Sequence, residues 1–416
     1  MKNTNKRIIR LVAAVMLIAL MTVSLSSCLF DFGFSYGDYL PEFDYDYNDG
    51  NQGGYQPLPN LGGSTGNEIT SENYGEFYPG SGQGNTDNLT PMAKTLLSTV
   101  TIICSSGMSS SAGSGVIYSV DREKGDAYII TNQHVVHNAS TIDVYLYGMQ
   151  LTPYAIPATY IGGSVTYDIA VIKVSGSEVI RNSYARSIEF ADSDQVRVYD
   201  RVYAVGNPEG SGIAATEGIV SVVSESINIT GADGSLLTMR VMRVDAAVNH
   251  GNSGGGLYDE NGKFIGTVSA KEVSEDIDNM GYAIPSNLVK SLASSIISQC
   301  NGTTVVKLYK PLMGITITAY VSGVEIDENG EVYQVEMVEV IEIASGSLAE
   351  GKIMVGDVIN SITVDGVKHN VTKVHHVTDA MIGARKGSVV TLNVTRGGVE
   401  KDITFNIRSS DLTVVK

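Results

Sequence analysis

Positive charge is what this chain most lacks. Lys and Arg number 28 against 45 Asp and Glu, a net charge of −17 over 416 residues. Such a balance excludes nucleic acid, which demands a basic face, and disfavours close approach to anionic lipid headgroups. Cysteine is also scarce, at three residues. Cys28 falls in the N-terminal run, which leaves Cys104 and Cys300 for the folded part. Secretion would permit a disulfide between them, but an apolar strand and a helix end are ordinary places for free thiols, and two free thiols are expected. Metal-ligand patterns are missing too. None of His134, His137, His250, His369, His375 and His376 falls in an HExxH or Cys-paired pattern, and the neighbours His375 and His376 are expected to point apart. No metal site is therefore expected. Nor does a phosphate-cradling loop occur, so the chemistry left to the chain is cofactor-free.

An uncharged run, Leu11 to Phe30, follows Lys2, Lys6, Arg7 and Arg10. Within it Leu25-Ser26-Ser27-Cys28 looks like a lipobox, so residues 1–27 read as a signal peptide and Cys28 as the lipidated residue. Twenty uncharged residues are also enough to span a bilayer uncleaved. Either reading puts the rest of the chain on the extracytoplasmic side, tied to the cell membrane. From Leu29 to Ala93 there is no Lys or Arg, while ten acidic residues and seven tyrosines are interspersed with Gly, Asn and Ser. Such a stretch buries too little apolar area to offset its chain entropy, and residues 28–89 read as a disordered tether. Its root-mean-square reach is about 40 to 50 Å. The tyrosines leave a second reading open, a partner-binding or cell-wall patch.

The folded part is organised around Asp245-Ala246-Ala247-Val248-Asn249-His250-Gly251-Asn252-Ser253-Gly254-Gly255-Gly256-Leu257. Glycines beside a serine let the backbone turn tightly and approach a substrate, with the N–H groups of Gly251 and Ser253 available as an oxyanion hole. Upstream, Thr131-Asn132-Gln133-His134-Val135-Val136 follows an apolar strand, and Tyr167-Asp168-Ile169-Ala170-Val171 opens another. The order His, Asp, Ser belongs to the chymotrypsin-type double barrel. At these residues the chain resembles the HtrA/Deg family of trypsin-like serine proteases, whose motifs read roughly TNxHVV, DIAVxKV and GNSGGPL. Gly206-Asn207-Pro208, Gly218-Ile219-Val220-Ser221 and Gly281-Tyr282-Ala283-Ile284-Pro285 extend the likeness. Two departures stand out. Gly256 replaces the usual proline, and His250 sits where proline or arginine is common.

Short β-branched segments from Thr99 to Val174 and from Val202 to Pro285 predict two small antiparallel barrels, and the apolar spacing of Asn287 to Gln299 predicts a closing helix. The expected layout is mainly β: a protease domain over 90–300, a linker over 301–310 and a PDZ domain over 311–410. The last rests on resemblance. Lys310-Pro311-Leu312-Met313-Gly314-Ile315 resembles a PDZ carboxylate-binding loop, with Met313, Gly314 and Ile315 its peptide-binding residues; Gly356-Asp357-Val358-Ile359 resembles the core turn, and Val377 to Lys386 the groove helix.

The resemblance implies that Ser253 attacks the scissile carbonyl, His134 shuttles the proton and Asp168 orients the imidazole. Ala247, with Val248 and Ala283, would form an apolar specificity pocket. It implies unfolded or exported polypeptides as substrates, and in many members a homotrimer. Two other classes stay open: a surface scaffold that binds peptides through the PDZ groove while the protease idles, and an adhesin-like lipoprotein acting through its tether. All three catalytic residue types are present, which favours the enzyme. Some members relay PDZ occupancy through an arginine in a loop before the serine motif. No Arg or Lys occurs from Ser221 to Met239, so the PDZ domain is expected mainly to concentrate substrate, with Arg240 and Arg243 the nearest stand-ins.

Overall fold

The computed structural model describes residues 89–415 apart from 108, 150–153, 271–279, 301–304, 327–329 and 331. The signal segment, Cys28 and all but the last residue of the tether lie outside the described residues. Among the described residues no helix is long and apolar enough to cross a membrane.

Thr90 starts the fold by capping α1 (Pro91–Ser98): its Oγ1 accepts the Ala93 N–H at 3.2 Å, and Pro91 occupies the first turn, where an N–H has no partner anyway. The first barrel follows. It consists of β1 (Thr99–Ser106), β2 (Ser109–Asp121), β3 (Asp126–Thr131), the one-turn α2 (Gln133–Val136), β4 (Thr141–Leu146), β5 (Ile156–Ser164) and β6 (Ile169–Val174). The strands close in the order β1-β2-β3-β6-β5-β4. Alternate residues fill its interior, Val100 and Ile102, Ile142 and Val144, Ile172 and Val174, as the two-residue period of a strand dictates. Beyond α3 (Glu178–Arg181) comes the second barrel: β7 (Arg201–Gly206), β8 (Ala214–Thr230), β9 (Leu236–Val244), β10 (Gly256–Asp259), β11 (Phe264–Ser269) and β12 (Gly281–Pro285). It closes in the order β10-β11-β12-β9-β8-β7.

The barrels share one core. Val116, Ile130, Ile169 and Val171 of the first pack in a single buried cluster with Val205, Tyr258, Phe264 and Ile284 of the second. An edge-to-face series of rings crosses the seam, Tyr118 to Phe190 at 5.8 Å, Phe190 to Phe264 at 5.2 Å and Phe264 to Tyr258 at 5.9 Å between centroids. The Tyr258 hydroxyl ends the series 3.3 Å from Thr99 Oγ1. Helix α4 (Ser286–Gln299) buries Leu288, Val289, Leu292, Ala293 and Ile296 and touches β5 and β6 of one barrel and β11 and β12 of the other. Cys104 and Cys300 are both free thiols, Cys104 buried.

Tyr258 also accounts for the missing proline. A Cβ on Gly256 would lie 2.4 Å from Cε2 and Cζ of the Tyr258 ring, which is fully buried. The ring therefore occupies the space that any larger residue would need. Gly256→Ala is expected to destabilise the chain by about 1–3 kcal/mol, and a smaller residue at Tyr258 should recover part of that loss. Urea midpoints of the two single variants and the double variant check this; equal midpoints for Gly256→Ala and the parent would rule the explanation out.

Residues 305–310 belonged to the expected linker, yet the Val306 N–H donates to Ile161 O at 2.8 Å and β13 (Tyr309–Pro311) pairs with the C-terminal β20 (Leu412–Val414). Between them lies an antiparallel sheet of β14 (Ile315–Ile326), β15 (Val332–Ile343), β16 (Val358–Val364), β18 (Val389–Arg396) and β19 (Val399–Asn406), with β17 (Val367–Asn370) beside β16. Strand β14 is an edge, and α5 (Val374–Gly383) covers the sheet through Val377 and Met381, while its Ile382 packs in the core cluster that the barrels share. The helix starts three residues earlier than expected and stops sooner, because Ala384 is already extended.

Candidate active site

Three short segments bring the catalytic residue types together. At the end of β3, Asn132 turns the chain, and Val135 and Val136 of α2 anchor in the first-barrel core. His134, between these buried neighbours, keeps 24% of its side chain exposed. Asp168 caps the turn between β5 and β6 in the left-handed region, φ +50°, a conformation that Asp tolerates better than most residues. Two bonds hold that turn against α2: Asn132 Nδ2 donates to Asp168 O at 2.8 Å, and the His134 backbone N–H donates to Asp168 Oδ1 at 3.0 Å. The second carboxylate oxygen, Oδ2, lies 2.8 Å from His134 Nδ1. A carboxylate 1% exposed at that distance fixes the proton on Nδ1 and leaves the Nε2 lone pair for a hydroxyl.

The serine loop is pinned to both barrels. Gly254 N–H donates to Val268 O at 2.9 Å, and Ser253 O accepts the Ser114 N–H at 2.8 Å. Gly254 has φ +86°, and a Cβ there would lie 2.1 Å from Ser114 O and 2.3 Å from Thr131 Oγ1. Only glycine allows the loop to lie against the end of β3, three residues before His134. Ser253 is 6% exposed, and its Oγ accepts the Ala270 N–H at 3.1 Å. Among the described residues it makes no hydrogen bond to His134. Accepting one bond leaves the hydroxyl hydrogen free to turn to Nε2, and catalytic hydrogen bonds are often long without substrate. The Gly251 and Ser253 N–H groups have no intramolecular acceptor among the described residues.

Ser114 is the residue that sequence reading missed. Its buried Oγ donates to Gly251 O at 2.7 Å and accepts the Asn207 N–H at 2.8 Å, so one hydroxyl of the first barrel ties the Gly251 segment to the Gly206-Asn207-Pro208 turn of the second. A small residue in the run Ser114-Gly115-Val116 gave little signal. Ser114→Ala leaves both partners unsatisfied and is expected to cost about 1–3 kcal/mol, with a lower kcat; an unchanged urea midpoint would contradict this role.

The expected pocket residues separate. Ala247 is exposed, its carbonyl accepting Thr216 Oγ1 at 2.8 Å, and Val248 is half-buried over Gly281. Ala283 is corrected: it is fully buried in the second-barrel core with Ala246 and Leu257, and offers a substrate no surface. His250 is an exposed loop residue. In the C-terminal sheet domain, Met313 O accepts the Ala349 N–H at 3.1 Å, Gly314 O accepts the Ala344 N–H at 2.8 Å, and Ile315 opens the edge strand β14.

Contacts also join the two folded parts. Arg240 of β9 pairs with Asp379 of α5, and Lys310 Nζ donates to the Tyr167 hydroxyl at 3.2 Å, one residue from Asp168. Arg240, one of the two nearest basic residues, thus contacts the C-terminal sheet domain. His375 and His376 do not point apart, contrary to expectation: both rings face Asp194. Neighbours on a helix are about 100° apart rather than opposed, so two long side chains can flank one spot.

Residues 113–266 match the family described as trypsin-like peptidase domain. The chain is 36% identical over 211 residues to the serine protease Do-like HtrA of Bacillus subtilis, covering 50% of this chain and 43% of that protein. It is 32% identical over 305 residues to the serine protease Do-like HtrB of the same organism (68% and 61%) and 31% identical over 303 residues to the periplasmic serine endoprotease DegP of Escherichia coli (72% and 57%). The chain spans about half the length of the curated relatives it matches. Among solved structures, an HtrA-type protease AlgW with tripeptide overlays with a TM-score of 0.50 at 24% identity, covering 76% of this chain and 95% of that one, a likeness of fold. The barrels that carry His134, Asp168 and Ser253 therefore match a trypsin-like peptidase domain over residues 113–266, and the chain is similar to the HtrA/DegP serine proteases.

Proposed function

We propose that the chain is a serine endopeptidase that cleaves misfolded or exported polypeptides outside the cell membrane. The observation that carries the reading is the buried Asp168 carboxylate, which grips both Nδ1 and the backbone N–H of His134 beside a pinned serine loop. Such a grip serves an imidazole that must accept and return a proton. Ser253 is the nucleophile, and the N–H groups of Gly251 and Ser253 stabilise the tetrahedral oxyanion. The C-terminal sheet domain acts as a PDZ domain: β14 is an open edge beside α5, where an extended peptide can add as a strand and its carboxylate meet the Met313-Gly314-Ile315 loop. A lipid on Cys28, or an uncleaved N-terminal helix, holds the enzyme at the membrane, and the family likeness favours a homotrimer.

The substrate side chain before the cut meets Ala247 and Val248, neither of which can pair a cation. Burying an unpaired charge there is costly. Cleavage is therefore expected after Val, Ala, Ile or Leu. Digestion of unfolded casein, with the product termini mapped by mass spectrometry, tests both levels. Intact casein would refute the endopeptidase, and a majority of cuts after Lys or Arg would refute the apolar pocket.

A further inference from the structure

A cavity of about 1100 Å³ lies away from His134, Asp168 and Ser253. It lies between the Ser193–Gln195 turn, β8 and β9 on one side and the C-terminal sheet domain on the other, and its wall carries Asp194, His375 and His376. One ligand atom from each of the three lies within 4.8 Å of the others. His375 Nε2 is 3.7 Å from Asp194 Oδ1, and His376 Nε2 is 3.5 Å from Asp194 Oδ2. These separations are long for hydrogen bonds, which run at about 2.7–3.2 Å. They are close to the spacing of two ligands on one tetrahedral ion, roughly 3.4 Å for metal–ligand bonds of about 2.0–2.1 Å. The rings stand edge to face at 79°, with 12% and 10% of the side chains exposed, so their orientations are set by packing.

We propose that Asp194, His375 and His376 form a binding site for a divalent transition-metal ion of the zinc class, which ties the turn before β7 to helix α5. Two imidazoles and one carboxylate are a borderline N/O set that suits zinc, cobalt or nickel better than calcium or magnesium. The cavity leaves room for water as the fourth ligand. Arg240 also borders the cavity. Arg240 itself is paired with Asp379, which offsets its repulsion of a cation, and Glu225 and Glu336 line the same cavity. One contact must change. Thr372 N–H donates to His376 Nδ1 at 3.1 Å; a metal on Nε2 leaves the proton on Nδ1, and the Thr372 N–H then turns to water in the cavity. Because Asp194 comes from the protease side and the histidines from α5, neither part alone holds three ligands. The ion acts as a clamp between them, and no nucleophile described above lies beside it.

The test is calorimetric titration of metal-free, full-length Ser253→Ala chain with ZnCl₂ in excess Mg²⁺, a readout independent of proteolysis. One saturable site is expected, weakened about thirtyfold or more by His375→Gln with His376→Gln and, separately, by Asp194→Asn. Cobalt(II) should give the visible absorption of a tetrahedral N/O site, lost in the same variants. Circular dichroism establishes that each variant is folded, and Asp194→Asn, on a partly exposed turn, keeps the test open if the double histidine variant fails to fold. No saturable binding, or affinity unchanged in either variant, overturns the proposal; loss in the histidine variant alone would mean that the ion does not bridge the two parts.

Discussion

Ser253→Ala is expected to abolish casein cleavage and covalent labelling by a fluorophosphonate probe while leaving the fold intact. The loss should be on the order of 10⁴-fold or more in kcat, because Ser253 is the residue whose Gly-rich turn and upstream His and Asp suit a nucleophile. Stability should hardly move. The Ser253 hydroxyl makes one neutral hydrogen bond, from Ala270 N–H, worth about 1 kcal/mol, and the backbone bonds that pin the loop survive the substitution. A urea midpoint close to that of the parent, with no labelling, would meet both halves. Labelling at the parent rate would mean another nucleophile.

Asp168→Asn should be nearly as damaging, for a reason set by the hydrogen-bond directions. Asp168 Oδ1 accepts the His134 backbone N–H, so an asparagine keeps its carbonyl oxygen there and turns its NH₂ toward Nδ1. An NH₂ facing Nδ1 selects the tautomer with the proton on Nε2, which cannot accept the serine proton. A fall of about 10⁴-fold in kcat, with KM little changed, is expected at neutral pH. Steady-state kinetics on a short apolar peptide decides the matter, and a kcat within tenfold of the parent would show that Asp168 does not set the tautomer.

Much of this was legible in the sequence where a residue has one local job. The expected spans of the two barrels, Thr99 to Val174 and Val202 to Pro285, agree with those seen to within one residue at each end, since their β-branched runs are bounded by turns. His134, Asp168 and Ser253 each sit in a stretch whose neighbours shape a turn or fill a core. The long β14–β15 hairpin went unread. Its inward residues Ile315, Ile317 and Ala319 alternate as a strand should, but Val324, Ile326 and Val332 are exposed toward the tip and blur the period. Ala283 was expected in the pocket from the resemblance, and the sequence alone cannot tell a pocket wall from a core wall, which is where it lies. Ser114, and the meeting of Asp194 with His375 and His376, were beyond reach for another reason. They join positions far apart in the chain, and only the docking of closed sheets determines who meets whom.

That docking has a practical consequence. His134 and Asp168 belong to a barrel complete by Val174, and Ser253 to one that begins at Arg201, each closed by its own strand pairing. A chain severed between those two residues would yield two halves, neither with both a base and a nucleophile. Hydrolysis would return only when the halves reassemble through the shared aromatic seam, which makes this junction a natural place to build a split-enzyme sensor of protein association.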